Sequence, residues 1–331
     1  MIINTQAHAR AGLIGNPSDG FYGKTISVIV RNFAARVTLW ESPELEIIPD
    51  QRDVSRFSDY GALVRDVNLH GYYGGVRIVK ATLKKFADYC ASHCITLPER
   101  NFTIRYHTDI PTRVGLAGSS AIATATMRAM MQFYGVEIPK PIMPNYVLAA
   151  EMDELGINAG LQDRVIQTYE GAVYMDFARE LLQKQKHGRY EPLDPAQLPP
   201  LYLAYDPNRS KDSGAAHSRV RVLFDEGDAK VVGTMRRFAE ITDEARTAME
   251  RCDHQKLAKL IDQNFDLRAT IYDIAPENRR MVDVARLCGA CAHFSGSGGA
   301  ILGIAADEAT FTRLQKRLGE IGCTVIRPLV T

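Results

Sequence analysis

The chain has 331 residues, 46% hydrophobic and 24% charged, with 40 Lys and Arg against 39 Asp and Glu. That is ordinary globular material for two domains or one large one, and a net charge of +1 gives no electrostatic case for nucleic acid or an anionic membrane as partner. No apolar run approaches the ~20 residues of a membrane helix and the first residues lack a signal-type pattern, so a cytoplasmic protein is expected, monomer or homodimer.

Period-two alternation at Ile26, Val28 and Val30, and again at Ala35, Val37 and Leu39, predicts two strands, with Asn32-Phe33 as a hairpin connection. Residues 76–94 switch to helical period, with Val79, Leu83, Phe86, Ala87 and Cys90 on one face. Phe102, Ile104 and Tyr106 alternate as a strand. A helix follows over 119–134, closed by Gly135, then helices over 145–155 and from about Gly160, and a strand over 171–177. Pro192, Pro195, Pro199 and Pro200 mark the best domain boundary, giving domains 1–195 and 196–331. Beyond it come a strand over 201–205, helices over 228–250, 254–273 and 277–291, and a strand, helix and strand over 300–305, 308–320 and 323–329. The pattern is α+β in both halves.

The six cysteines read as free thiols. Cys288-Gly-Ala-Cys291 lies in a helical pattern and lacks a second ligand pair, so it reads as buried small residues; the eight histidines show no HExxH spacing. No structural metal is expected.

Three distant segments carry chemistry. Arg10-Ala-Gly-Leu-Ile-Gly-Asn-Pro-Ser-Asp19 puts a charge of each sign on a turn-rich loop. Pro111-Thr-Arg-Val-Gly-Leu-Ala-Gly-Ser-Ser-Ala121 is a small-residue loop running into an apolar helix. Gly115, Leu116, Ala117 and Gly118 present backbone N–H groups there, and Ser119 and Ser120 add hydroxyls at a helix start, which suits phosphate. The same loop serves equally as a tight strand-to-helix connection. Phe294-Ser-Gly-Ser-Gly-Gly299, with Gly296, Ser297 and Gly298 at its centre, reads as a second backbone nest or as close packing. There is no Walker A ending, no GxGxxG and no protein-kinase signature. Taken by themselves, Glu151 belongs to a solvated helix face beside Asp153 and Glu154, and Asp163 is a first-turn helix acid or half of an ion pair with Arg164.

In their order, these three segments resemble the GHMP kinases. Leu13-Ile-Gly-Asn-Pro-Ser-Asp19 with Gly23-Lys-Thr-Ile-Ser27 is similar to the glucuronokinase branch, where galactokinases carry Gly-Glu-His. Gly71-Tyr-Tyr-Gly-Gly-Val-Arg77, Ala159-Gly-Leu-Gln-Asp-Arg-Val165, Asp212-Ser-Gly214 with His217-Ser218, Asn264-Phe-Asp-Leu-Arg268 and Ser295-Gly-Ser-Gly-Gly-Ala300 extend the likeness over the whole chain. His293 departs from it, standing where a lysine often precedes the last motif.

The resemblance implies a two-domain GHMP fold, with an N-terminal domain like ribosomal protein S5 domain 2 and a ferredoxin-like C-terminal domain. It implies an ATP- and Mg2+-dependent sugar 1-kinase that converts D-glucuronate to its 1-phosphate. The alternatives are another sugar (galactose-like, heptose or octose) or a non-catalytic sugar or nucleotide sensor. It assigns Asp163 and Arg10 to catalysis and residues 115–120 with Gly296, Ser297 and Gly298 to ATP. Asp19, Asp163, Asp212, Ser213 and Gly214 fall to the sugar, and Ser120 and Glu151 to the metal. A uronate carboxylate also demands a cation, and Lys24, Arg31, Arg164, Lys211 and Arg268 are the candidates.

Overall fold

The computed structural model describes residues 1–53, 74–208 and 214–331. Gly71, Lys211, Asp212 and Ser213 lie outside them. The chain divides into two compact units: Met1–Ala9, Phe33–Ile110 and Ala117–Thr168 form the first, and Arg10–Asn32, Pro111–Leu116 and Tyr169–Thr331 the second. Among the described residues no helix is long and apolar enough to cross a membrane.

Strands β1 (Ile2–Ile14) and β2 (Lys24–Glu41) contribute to both units. In the first unit the later half of β2 pairs antiparallel with β4 (Phe102–Thr108), from Ala35 opposite Thr108 to Glu41 opposite Phe102, and β3 (Glu46–Ile48) runs parallel to β4. Helices α1 (Gly75–Ser92), α2 (Gly118–Tyr134) and α3 (Met143–Met152) pack on one another. The expected apolar face of α1 is buried at Val79, Phe86 and Cys90. Gly135 ends α2 in the left-handed conformation, its N–H returning to the Met131 carbonyl. Helix α4 (Gln162–Tyr169) follows the Gly160 turn.

In the second unit the first half of β2 pairs with β5 (Ala172–Asp176), which pairs with β6 (Arg189–Leu193). A short helix, α5 (Arg179–Gln185), links those two strands. A separate antiparallel sheet contains β7 (Leu201–Tyr205), β8 (His293–Phe294), β9 (Ala300–Ile304) and β10 (Thr324–Ile326), in the order β10-β7-β9-β8. Numbered along the chain, that order is 4-1-3-2 with every neighbour antiparallel, the ferredoxin-like arrangement expected. Its helices are α6 (Gly214–Asp225), α7 (Ala229–Glu250), α8 (His254–Ala269), α9 (Pro276–Leu287) and α10 (Glu308–Gly319). Asp228, Asp253 and Asp307 start α7, α8 and α10 by accepting the N–H three residues on, which supplies one of the donors a helix start leaves without an intrahelical partner. Tyr202, Phe265, Phe294, Ile301 and Leu314 form the core beneath.

Three expectations are corrected. Residues 26–39 are one continuous strand, with no hairpin at Asn32. The Asn32 side chain is used elsewhere, accepting from the Leu329 N–H at 2.8 Å and donating to the Arg327 carbonyl at 3.1 Å. Arg10 lies in β1 rather than on a loop; the alternate burial of Ile3, Thr5 and Ala7 marks that strand, but its Ala and His residues are weak strand formers. Cys288 and Cys291 lie beyond the end of α9, because Gly289 turns the chain at φ 83°.

Replacing Asn32 by Ala should cost about 1 kcal/mol, confined to the C-terminal tail. Hydrogen exchange at the Leu329 amide measures it, and unchanged protection there would contradict the role given to Asn32.

Candidate active site

The second unit gathers the three glycine-rich segments on backbone contacts. Arg10 lies within the buried stretch of β1, its own N–H bonded to the Leu116 carbonyl at 3.2 Å. Its guanidinium, 5% exposed, donates to the Gly115 carbonyl at 2.6 Å and the Ser295 carbonyl at 3.2 Å. The Ser295 hydroxyl donates to the same Gly115 carbonyl at 3.1 Å, and the Gly12 N–H to the Ser295 carbonyl at 2.8 Å. The glycines make this possible. A Cβ on Gly296 would stand 2.6 Å from the Gly115 oxygen, and one on Gly115, already at φ 72°, 2.9 Å from the Gly298 oxygen.

Helix α8 braces the same loops. Asn264 accepts from the Gly15 N–H at 2.8 Å and donates to the Asn16 carbonyl at 3.2 Å, while Asn16 donates to the Phe294 carbonyl at 2.9 Å. One turn later Arg268 donates to the Gly296 carbonyl at 2.8 Å. His293, 1% exposed, has its pKa pushed down to about 3, first by burial and then by the Arg268 cation. A neutral ring is what this position accepts, since a lysine here would set a second buried cation beside Arg268.

In the first unit, helix α2 starts at Ala117, which sits in the left-handed conformation (φ 62°). Three donors converge on its carbonyl: the Ala121 N–H at 3.2 Å, the Ser120 hydroxyl at 3.1 Å and the Gln167 amide at 2.9 Å. They hold a conformation that costs an alanine about 1 kcal/mol. No side chain caps the helix, so its first N–H groups remain suited to an anion. Gln167 also donates to the His8 carbonyl at 3.1 Å, and Arg128 donates to the carbonyls of Gln6 at 2.6 Å and Gln167 at 2.7 Å, which fastens α4 to α2 and to β1.

Helix α4 carries Asp163 in its first turn, followed by Arg164. The Arg164 guanidinium, 3% exposed, bonds Glu151 Oε2 through both Nε, at 3.0 Å, and Nη2. Nη1 donates to the Gly160 carbonyl at 2.9 Å and lies 3.4 Å from Asp163 Oδ2. Glu151 is fully buried, and its Oε1 has no hydrogen-bond partner among the described residues.

The family described as "GHMP kinases N terminal domain" matches residues 77–171. The chain is 44% identical over 306 residues to glucuronokinase 1 of Arabidopsis thaliana, covering 91% of this chain and 84% of that protein. Among solved structures it is similar to the mevalonate kinase of Methanococcus jannaschii (TM-score 0.72, 19% identity, 99% and 98% of the two chains). It is also similar to the galactokinase of Lactococcus lactis complexed with galactose (TM-score 0.76, 14% identity, 99% and 93%). The chain belongs to the GHMP kinases.

In this GHMP kinase the structure joins Arg10 to Gly115 and Ser295 in one unit, and Asp163 to Glu151 through Arg164 in the other. Asp19 lies in the second unit, close enough for its charge to act on Arg268 and Tyr272. Gly214 opens α6. Glu151 corrects the solvated-face reading: Arg164, thirteen residues on, makes its burial tolerable, and nothing in the local pattern announces that partner. Asp163 has both features expected of it, the first turn and the Arg164 pair. Sequence reasoning missed Gln167, Arg128 and Asn264 as anchors, because their partners are backbone groups distant in sequence. For Mg2+ the donor chemistry fits: a carboxylate oxygen with no partner, Glu151 Oε1, and the Ser120 hydroxyl, whose donation to Ala117 leaves its lone pairs available. A cation that prefers few protein oxygens beside phosphate and water would accept such a set.

Arg164→Met should destabilise the protein by about 3 kcal/mol or more, because it strands the buried Glu151 charge. Adding Glu151→Leu should recover most of that loss; urea melts of both variants decide, and a neutral single variant would contradict the pairing. His293 adds a pH dependence. Its folded pKa of about 3 lies below the ~6.5 of a free imidazole, so the unfolded chain takes the proton first. Its contribution is complete above pH 6.5 and lost as pH falls towards 3, at up to about 1.4 kcal/mol per pH unit. His293→Gln should flatten the stability profile over that window, and an unchanged slope would rule out the assignment.

Proposed function

We propose that this protein transfers the γ-phosphoryl group of ATP to the anomeric hydroxyl of D-glucuronate, giving ADP and D-glucuronate 1-phosphate. It is a sugar kinase. The glucuronokinase of Arabidopsis thaliana supports the acceptor, and the segment 10–19, held by Asn264 beside the Arg10 contacts, is the observation that carries the reading. In it the Gly15-Asn16-Pro17 turn and Asp19 share a frame with the Gly115 loop.

The chemistry needs phosphate held, charge balanced and the hydroxyl positioned. The backbone N–H groups of 115–120 (Gly115, Leu116, Ala117, Gly118, Ser119 and Ser120) hold the polyphosphate, with Gly296, Ser297 and Gly298 as a second contact. Mg2+ held by Ser120 and Glu151 would neutralise phosphate charge. Arg10 adds a fixed positive charge at the Gly115 loop. Asp19 accepts from sugar hydroxyls, and the resemblance adds Asp212, Ser213 and Gly214 to the groups that bind the sugar. The anomeric oxygen attacks the γ-phosphorus, ADP leaves, and the hydroxyl proton passes towards Asp163. A fixed carboxylate directs an attacking hydroxyl, so Asp163 serves chiefly to orient it. Arg164 Nη1, 3.4 Å from its Oδ2, holds the carboxylate in place.

The test is incubation with ATP, Mg2+ and a panel of uronic acids and neutral sugars, with 31P NMR of the anomeric phosphate. Turnover of neutral sugars without glucuronate would sink the acceptor, and nucleotide binding with no sugar phosphate formed would favour a sensor. Asp163→Asn should lower kcat by at least about 100-fold while nucleotide binding persists; near-normal turnover would remove Asp163 from the reaction.

A further inference from the structure

A uronate differs from a neutral sugar by one carboxylate, and a buried anion needs a cation. Of the cations that the sequence offers, three already hold carboxylates. Lys24 is 2.7 Å from Asp243, Arg31 is 2.8 Å from Glu170, and Arg164 is bonded to Glu151. Lys211 lies outside the described residues. Arg268 stands apart from these. It is 3% exposed, and among the described residues its hydrogen bonds go to backbone carbonyls rather than to a carboxylate. Its firm hydrogen bond is to the Gly296 carbonyl at 2.8 Å, and the Ser297 carbonyl is at 3.5 Å. Its Nε is buried without a hydrogen-bond partner among the described residues.

The surroundings fit a ligand-binding guanidinium. The Phe294 and Tyr272 rings flank it, at 5.1 and 5.2 Å from the guanidinium carbon, and fix its plane. Burial lowers its pKa to about 10, with Tyr272 and Asp19 acting in the opposite sense, so it carries its charge at neutral pH. Asp19, the acid read here as the partner of sugar hydroxyls, is near enough to act on Arg268 and on Tyr272, whose hydroxyl is raised to about 12 chiefly by burial. Arg221 also reaches this corner through the Gly20 carbonyl at 2.8 Å, but it is 43% exposed and lies 3.7 Å from Asp225. A buried cation left with carbonyls and ring faces is undercompensated.

We propose that Arg268 receives the C6 carboxylate of the acceptor, selecting uronates over neutral sugars while Asp19 engages hydroxyls of the same molecule. This rests on the acceptor reading above. The experiment compares D-glucuronate with D-glucuronamide, its neutral counterpart, by kcat/KM in the full-length protein with saturating ATP and Mg2+. The wild type should favour glucuronate on the order of 100-fold, and Arg268→Gln should bring the ratio near one, as expected when one partner of a buried charge pair is removed. A role confined to bracing Gly296 and Ser297 would depress both acceptors and leave the ratio intact, which would overturn the proposal. If Arg268→Gln does not fold, Arg268→Lys carries the test: a point charge in place of the planar fork should cut the ratio about tenfold, and an unchanged ratio overturns the assignment. A wild type that takes both acceptors equally removes Arg268 from selection while the kinase reading stands. A wild type that phosphorylates only neutral sugars removes the acceptor reading itself, and the assignment of Arg268 with it.

Discussion

The guanidinium of Arg10 fixes the geometry of the second unit. It reaches carbonyls 105 and 285 residues away along the chain, so three segments that sequence alone leaves unrelated share one frame. A charged donor on a buried carbonyl contributes about 1.5–3 kcal/mol, and it satisfies oxygens that would be costly to bury bare. The glycines then have a steric reason that precedes any ligand. With Gly12 against the Ser295 oxygen, Gly115 against the Gly298 oxygen and Gly296 against the Gly115 oxygen, a side chain at any of the three would force the loops apart. What reads as a phosphate motif is first a condition for backbone to approach backbone.

The first unit is held on a different principle. Burying Glu151 and Arg164 together removes two ions from water, and their mutual attraction rarely repays that cost in full. What the pair supplies is direction. One carboxylate oxygen is fixed by two N–H donors and the other is left uncommitted, while the remaining arm of the same guanidinium stands beside Asp163. Gln167, one turn beyond Asp163 on α4, bonds the Ala117 carbonyl at the start of α2. The helix with the acid and the helix with the uncapped N-terminus are therefore tied together.

Sequence periodicity recovered most elements, because core burial on one face imposes the 3.6 and 2.0 periods directly. Gly135 marked a helix end because only glycine takes φ 66° there without cost. The hairpin at Asn32 was misread for a definite reason. Asn is a turn former when its amide bonds locally, and here the amide is committed to the C-terminal tail. Glu151 was illegible because burial of a carboxylate depends on a cation brought from another helix. The glycines of the three motifs were legible as places where backbone comes close, while their mutual packing was not, since carbonyl-to-guanidinium contacts leave no periodic trace. His293 is intermediate. Its departure from lysine is visible in the chain, but its cause, the neighbouring buried Arg268, is a fact of three dimensions.

Helix α8 connects these observations in the second unit. Asn264 and Arg268 are four residues apart, hence on one face and about 6 Å apart along the axis. The first binds the Gly15 turn that leads to Asp19, and the second binds Gly296 in the last glycine loop. A rigid helix with two polar anchors at that spacing sets the register of one loop against the other, which neither loop could set alone given its glycine content. Both anchors are buried, Asn264 completely and Arg268 at 3% exposure, so the helix sacrifices apolar burial at two core positions to obtain that register. A helix optimised only for stability would carry leucine there. The polar choice places the demand for precision at the junction of the Gly15 turn and the last glycine loop.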